Sequence, residues 1–283
     1  MDFNTIAVIG AGAMGSGIAQ LLIQNGFAVN LCDSSAHVLD QSTAAIHKRL
    51  DAQVQQHRLS PEQRRAANDA LQTTTALEQA CMADLIIEAV PERIELKTAL
   101  FTQLDRVAPQ SAPFASNTSG LDIDQLAAAT ERAERVIGLH FFNPPPRMPL
   151  VEIARGSATS DEVFNAVYAL AEDLGKTPIA VANAPGFVVN RILFPMINEA
   201  IYTLEQGVAS AEDIDRAMQL GAHHPLGPLA LADFVGLDIT LDILDALQRD
   251  LGSAKYCACP LLREKVANGE LGRKTGRGFF TYA

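Results

Sequence analysis

An apolar run, Ile6-Ala-Val-Ile9, passes without a break into Gly10-Ala-Gly-Ala-Met-Gly-Ser-Gly17, and an apolar helical pattern follows from Ala13 to Gln24. Few folds accommodate a strand that ends in spaced glycines and opens a helix. The helix pattern stops at Asn25-Gly26, a second strand reads from Phe27 to Cys32, and Asp33 stands at its carboxyl end. Glycine spacing alone is weak evidence. With a strand before it, a helix after it and an acid about twenty residues on, it is the signature of a dinucleotide-binding βαβ unit. Gly10 permits the tight turn, Gly12 lets the backbone approach a pyrophosphate, and Gly15 lets helix and strand pack closely. Ala13 and Met14 begin the helix, whose free N–H groups and positive dipole end favour phosphate. Asp33 is placed to accept hydrogen bonds from the adenosine ribose. The residues after it, Ser34-Ser35-Ala36, include no arginine to receive a 2′-phosphate, so NAD is expected over NADP. The plain alternative is a glycine-rich turn with no ligand, and the surrounding context argues against it.

The strand–helix alternation continues through the first two thirds of the chain. Ser35 to Arg58 reads as a long polar helix, and Ser60-Pro61-Glu62 opens another with serine as cap and proline in the first turn. A simple doubly wound sheet needs only one crossover here, so the pair reads as a helical insertion projecting from the sheet. Lys48, Arg49 and Arg58 give it positive charge, which is equally the mark of a solvated face. Asp84 to Val90 is a strand, and Pro91-Glu92-Arg93 opens a helix to about Val107, placing Glu92 and Lys97 near that strand's carboxyl end. Pro113 to Ser116 is a short strand that ends in Asn117-Thr118-Ser119-Gly120. That polar run suits ligand hydrogen bonding, and it also suits capping of the helix that follows Asp122. Ser160 to Leu174 is helical, and Pro178 to Ala182 is a last strand.

Beyond Ala184-Pro-Gly186 the pattern is helical only. The expected organisation is therefore a Rossmann-like α/β domain with a helical insertion over residues 1–184, followed by an all-α domain over residues 185–283. In Phe187–Gln206, the residues Asn190, Phe194, Ile197, Ile201 and Leu204 fall on one stripe. Asn190 is thus a polar group at the head of an apolar face, and buried amides need partners. Pro195 is expected to kink this helix. Ser210-Ala-Glu-Asp213 opens a further helix that Gly221 closes, and helices at Gly236–Leu251 and Pro260–Asn268 precede a basic glycine-rich tail.

Charge and cysteine usage narrow the partners. A formal net charge of −11 argues against nucleic acid and against an anionic membrane surface, though not against a small anionic ligand met by a local basic patch. Cys32, Cys81, Cys257 and Cys259 show neither C-x-x-C nor metal-ligand spacing. Free thiols, no metal centre and a reducing cytoplasm are expected. His223 and His224 lack a neighbouring carboxylate or thiol at ligand spacing. The acidic start, Met-Asp-Phe-Asn, does not resemble a signal peptide. Asp238, Asp242 and Asp245 interrupt the longest apolar stretch, Pro228–Leu247, so no membrane span is expected.

The reacting residues are sought in Gly138-Leu-His-Phe-Phe-Asn-Pro-Pro-Pro146. A strand from Val136 to Leu139 runs into prolines that no sheet interior tolerates, which puts His140 and Asn143 at the strand's edge. An imidazole there is a candidate general base, although a lone histidine is more often a satisfied core residue. Leu150-Val-Glu-Ile-Ala154 is an alternating strand with Glu152 among apolar neighbours, either facing solvent or paired. With a proline turn between them, hairpin-like geometry would let Glu152 accept the imidazole N–H and fix its tautomer.

Five stretches together resemble the L-3-hydroxyacyl-CoA dehydrogenases, above all the bacterial short-chain 3-hydroxybutyryl-CoA type. They are Gly-Ala-Gly-Ala-Met-Gly-Ser-Gly-Ile-Ala, Ala-Ser-Asn-Thr-Ser, Gly-Leu-His-Phe-Phe-Asn-Pro, Pro-Gly-Phe-Val-Val-Asn-Arg and Gly-Arg-Lys-Thr-Gly-Arg-Gly-Phe, in the family's order along nearly the whole chain. The resemblance implies His140 as catalytic base paired with Glu152, with Ser119 and Asn190 at the reacting end of an acyl-CoA substrate. It implies that Ser119, Asn143, Glu92, Lys97 and Lys274 line the NAD site, and that the chain forms a homodimer through its helical domain. Two departures stand out: Gly120 where many relatives have serine, and Ala52, Gln55 and Gln56 where basic residues that grip the CoA phosphates are common. Lys48 and Arg49 remain as substrate contacts. The sparse basic cluster keeps open a dehydrogenase of a free hydroxy acid or sugar acid. A non-catalytic NAD-binding protein is the third reading, and it would need none of Ser119, His140, Glu152 and Asn190.

Overall fold

A computed structural model describes residues 1–282. The chain divides into two compact units, Met1–Ala184 and the segment from Pro185 onward.

The first unit is built on one eight-stranded sheet. In chain order its elements are β1 (Thr5–Ile9), α1 (Ala13–Gln24), β2 (Ala28–Cys32), α2 (Ala36–Gln55), α3 (Pro61–Asp69), β3 (Leu71–Thr74), α4 (Leu77–Ala80), β4 (Leu85–Glu88), α5 (Ile94–Val107), β5 (Phe114–Ser116), α6 (Ile123–Ala127), β6 (Val136–Phe141), β7 (Leu150–Arg155), α7 (Asp161–Asp173) and β8 (Thr177–Ala182). The spatial order is β3-β2-β1-β4-β5-β6-β7-β8. Strands β1 to β6 run parallel, and β7 pairs antiparallel with β6 while β8 follows β7 in parallel. The first six strands thus have the doubly wound order in which ligands bind at the reversal beside β1. Parallel central strands are covered on both faces, and β1, β4 and β5 are accordingly mostly apolar: Ile6, Val8, Ile86, Ile87 and Phe114 are fully buried.

Residues 71–80 form a short edge strand and a single helical turn that the sequence pattern does not announce. Leu71-Gln-Thr-Thr74 has one apolar residue, and it is a strand because β2 supplies its hydrogen bonds. The helical insertion does not stand clear of the sheet: Leu39, Ile46, Leu50 and Ala67 join the same core as Ile18 and Leu22 of α1. The N-caps are those the residues announce, with Ser35, Ser60 and Ser160 each accepting a backbone N–H and Ser60–Gln63 closing a capping box.

The second unit contains α8 (Val189–Glu205), α9 (Ala211–Ala222), α10 (Pro228–Val235), α11 (Leu237–Leu251) and α12 (Pro260–Ala267) around a core that includes Phe194, Ile197, Ile201, Leu229 and Leu244. Helix α8 runs on through Pro195. Gly221 lies inside α9 and does not end it; His223 takes the left-handed cap at φ 56°. Buried Asp215 accepts the N–H groups of Leu229 and Ala230 at 2.8 Å and so caps α10, and burial raises its pKa against those bonds. The glycine-rich tail folds onto α10. Buried Asp233 accepts the N–H groups of Phe279 and Phe280 and the hydroxyl of Tyr282, all at 2.9 Å.

Candidate active site and cofactor cleft

The glycine turn sits at the sheet's reversal. Gly10 has φ +101°, and a Cβ on it would stand 2.7 Å from the Ala89 carbonyl oxygen. A Cβ on Gly15 would strike the Gly10 carbonyl, whereas one on Gly12 would meet nothing within 4 Å. Two glycines are therefore needed for packing, and the third faces open space. That space is a cavity of about 810 Å³ lined by Gly12, Met14, Asp33, Glu92, Asn117 and Ser119, among others. The Asp33 carboxylate is fixed at its rim, accepting the Ala11 N–H at 2.9 Å and the Ser35 N–H at 3.0 Å. The turn, the free helix start, the carboxylate and the cavity volume all fit an extended dinucleotide whose pyrophosphate passes Gly12.

The turn is also packed from behind. A Cβ on Gly17 would lie 2.7 Å from Pro145 Cδ, so the bare face of α1 receives the proline loop that follows β6. Lys176 Nζ holds the same loop, donating to the carbonyls of Pro145 at 2.7 Å and Met148 at 2.9 Å, and burial lowers its pKa. Nothing in the residue pattern marks Gly17 or Lys176 for this task.

His140 is the penultimate residue of β6, inside the strand and not beyond its end. Its register partner across the antiparallel pair is Glu152. Direct partners on such a ladder project to the same side with Cβ atoms about 5 Å apart. Nδ1 of His140 lies 2.9 Å from Oε2 of Glu152, and both side chains are buried, at 5% and 1% exposure. The Phe142 ring stacks tilted against the imidazole at 4.4 Å between centroids. A carboxylate accepting from Nδ1–H leaves Nε2 as the basic nitrogen.

The polar run after β5 does not cap α6; Asp122 does that, accepting the Asp124 N–H. Asn117 Oδ1 accepts the Phe141 N–H at 2.9 Å, tying the loop to the residue beside His140. The Thr118 hydroxyl and the Ser119 N–H donate to Glu92 Oε1 at 2.6 and 2.7 Å. Three residues expected at the ligands have partners within the protein. Lys97 does not line the cleft, being wholly buried against Glu88 at 2.7 and 2.8 Å and Glu92 at 3.2 Å. Arg49 donates through Nε to buried Gln20 at 2.6 Å, so part of its guanidinium joins α2 to α1. Lys274 is engaged within the second unit by Asp238, at 2.6 and 2.5 Å. Lys48 and Asn143 are exposed, and Asn190 is buried at the start of α8. Sequence reasoning passed over Glu88, although a carboxylate closing an apolar strand nine residues before a lysine is a visible sign of a buried pair.

A family model for the 3-hydroxyacyl-CoA dehydrogenase NAD binding domain matches residues 5–184, and one for the C-terminal domain of the same enzymes matches residues 186–282. The chain belongs to the 3-hydroxyacyl-CoA dehydrogenase family. It is 47% identical to a probable 3-hydroxybutyryl-CoA dehydrogenase of Bacillus subtilis, over all of this chain and 98% of that protein. It is 40% identical to the human mitochondrial hydroxyacyl-coenzyme A dehydrogenase, over 98% of this chain and 90% of that one. The crystal structure of the (S)-3-hydroxybutyryl-CoA dehydrogenase of Ralstonia eutropha superposes with a TM-score of 0.96 at 45% identity, each chain fully covered. Membership makes NAD the cofactor of the cleft described above. Among the described residues no cluster of metal-ligating side chains occurs, and no helix is long and apolar enough to cross a membrane.

Proposed function

We propose that this dehydrogenase oxidises a short-chain (S)-3-hydroxyacyl-CoA, of the 3-hydroxybutyryl type, to the 3-ketoacyl-CoA and catalyses the reverse reaction, with His140 as general base and acid. The observation that carries this reading is the buried His140–Glu152 pair at 2.9 Å. A binding module has no use for an imidazole held in one tautomer by a buried carboxylate. NAD, when bound, supplies the hydride acceptor. The chain's own part is proton handling and orientation: Nε2 of His140 takes the proton of the 3-hydroxyl, and Glu152 stabilises the imidazolium that results. Ser119 and Asn190 hold the substrate oxygen so that the reacting C–H bond is aligned, with Lys48 at the CoA phosphates. Gly10, Gly12, Ala13, Met14, Gly15, Asp33, Glu92 and Asn143 serve the cofactor, and Lys274 is assigned to it by resemblance.

Initial rates on 3-hydroxybutyryl-CoA and on free 3-hydroxybutyrate test the substrate class. Binding energy from the CoA handle is expected to raise kcat/KM by about 10³-fold or more over the free acid. Equal values would favour a hydroxy-acid dehydrogenase.

Dimerisation through the helical unit belongs to the same proposal. Ile192, Leu220 and Phe234 are more than half exposed there, and a second copy packed on them would take that apolar area out of water. Light scattering at micromolar concentration is expected to give twice the chain mass, and a monomer would refute it. The operating compartment we propose is the cytoplasm, which suits four free cysteines.

A further inference from the structure

Behind the cleft wall lies a charged cluster that the proposed reaction does not itself use. Lys97 is fully buried, and its ammonium lies 2.7 and 2.8 Å from the two oxygens of buried Glu88. Glu88 closes β4 and also accepts the Ser116 hydroxyl at 2.6 Å and the Val90 N–H at 2.7 Å, so it joins the ends of β4 and β5. The ammonium then reaches out to Glu92 Oε2 at 3.2 Å. The other oxygen of Glu92 accepts the Thr118 hydroxyl and the Ser119 N–H. Thr118 in turn accepts the N–H groups of Gly120 and Leu121 at 3.2 and 2.8 Å. One continuous set of charge-assisted bonds thus runs from the sheet core to the loop that carries Ser119.

We propose that Lys97 is a positioning residue: braced by Glu88, it aims Glu92, and through Glu92 it sets the backbone of Ser119. This rests on the reading of Ser119 as a substrate contact given above. A glutamate that is 42% exposed has many rotamers open to it, and a loop beside a cavity has several conformations. A lysine that emerges from the sheet wall selects one of each. Asn117 performs the same service on the other side, where its bond to the Phe141 N–H ties the loop to the strand of His140. Ser119 and His140 are thereby referred to the same sheet edge. The arrangement also explains how a lysine is tolerated where no solvent reaches it: a buried cation between two carboxylates is held by charge from both sides. Reaction geometry is sensitive to displacements of about 1 Å, which cost up to about 10²-fold in rate.

The test compares Glu88→Gln/Lys97→Met, which removes a buried charge pair together, with Glu92→Gln and with the combined triple variant. Thermal unfolding, the Kd for NADH and steady-state kinetics on 3-hydroxybutyryl-CoA are measured for each. The expected result is a fall in kcat of about tenfold or more in both parents, with the NADH Kd of the charge-pair variant within about threefold of wild type. The triple variant is expected to be no slower than the worse parent, since the three residues act as one unit. Unchanged kcat in the folded charge-pair variant would overturn the proposal, as would losses that multiply. In the charge-pair variant, a defect confined to NADH affinity would overturn it too, because it would mean direct contact of Lys97 with the cofactor. If the charge-pair variant does not fold, Glu92→Gln decides by itself: its site is exposed, it keeps an acceptor for the loop, and it turns an amide toward the ammonium. Normal kcat there refutes the positioning role. Wild-type enzyme without turnover on any acyl-CoA would overturn the functional reading and this one with it, whereas normal wild-type rates beside unaffected variants overturn this one alone.

Discussion

Replacement of His140 by glutamine is expected to lower kcat on 3-hydroxybutyryl-CoA by about 10²- to 10⁴-fold, the usual contribution of a positioned general base. Glutamine is the informative choice. Its amide can donate to Glu152 and so preserve the hydrogen bond that the imidazole makes at 2.9 Å. Alanine would leave a buried carboxylate without that partner, and breaking a buried pair costs about 3–5 kcal/mol of stability, which confuses folding with chemistry. NADH binding, followed by fluorescence, is expected to stay within about twofold of wild type, because His140 and the glycine turn lie on different strands, β6 and β1. Near-normal turnover in the variant would remove the assignment of the base.

Glu152→Gln is the second large effect. In the proposed mechanism the carboxylate has two tasks, holding Nδ1–H so that Nε2 is the basic nitrogen and offsetting the positive charge that forms when Nε2 takes a proton. An amide oxygen can still accept from Nδ1–H, so the ground-state geometry survives and the charge is lost. In a site where His140 is 5% exposed and Glu152 1% exposed, that charge is poorly replaced by water. A kcat reduced by about 10²- to 10⁴-fold is expected, by analogy with neutralising the acid of a serine protease triad. KM should change little, because the interaction strengthens only as the imidazolium develops. Steady-state kinetics on the purified variant, with a thermal melt to exclude misfolding, check both statements. A loss seen only as a raised KM would mean that Glu152 shapes the substrate pocket and not the base.

These two expectations differ in how far the sequence reaches. The dinucleotide cleft was legible almost in full, because its parts are local: strand, glycines, helix and acid occupy twenty-eight consecutive positions from Ile6 to Asp33, and a tight turn's backbone conformation is encoded by the residues that form it. The observed α1 begins and ends where the pattern indicates, at Ala13 and Gln24. Serine caps and the apolar stripe of α8 were legible for the same reason. Edge strand β3 was not, since four residues with one apolar side chain take their conformation from a neighbour. Nor was the second task of Gly17, whose missing side chain matters only because Pro145 arrives from 128 positions away.

By itself, then, the sequence determined the class of fold, the NAD cleft and the identity of the residues capable of acid–base chemistry. It left open whether His140 and Glu152 meet. Only the tertiary structure decided that, through the reversal of β7 against β6, which makes the two residues register partners on one side of a buried ladder. Strand direction and register depend on a turn packed against α1 and on a sheet assembled from distant segments, and neither is a property of the residues on either side of the histidine. The same holds for Lys97. Its position in the chain suggests a hand on the cofactor, whereas the fold buries its ammonium between Glu88 and Glu92, because long-range packing and not sequence spacing determines which charges meet.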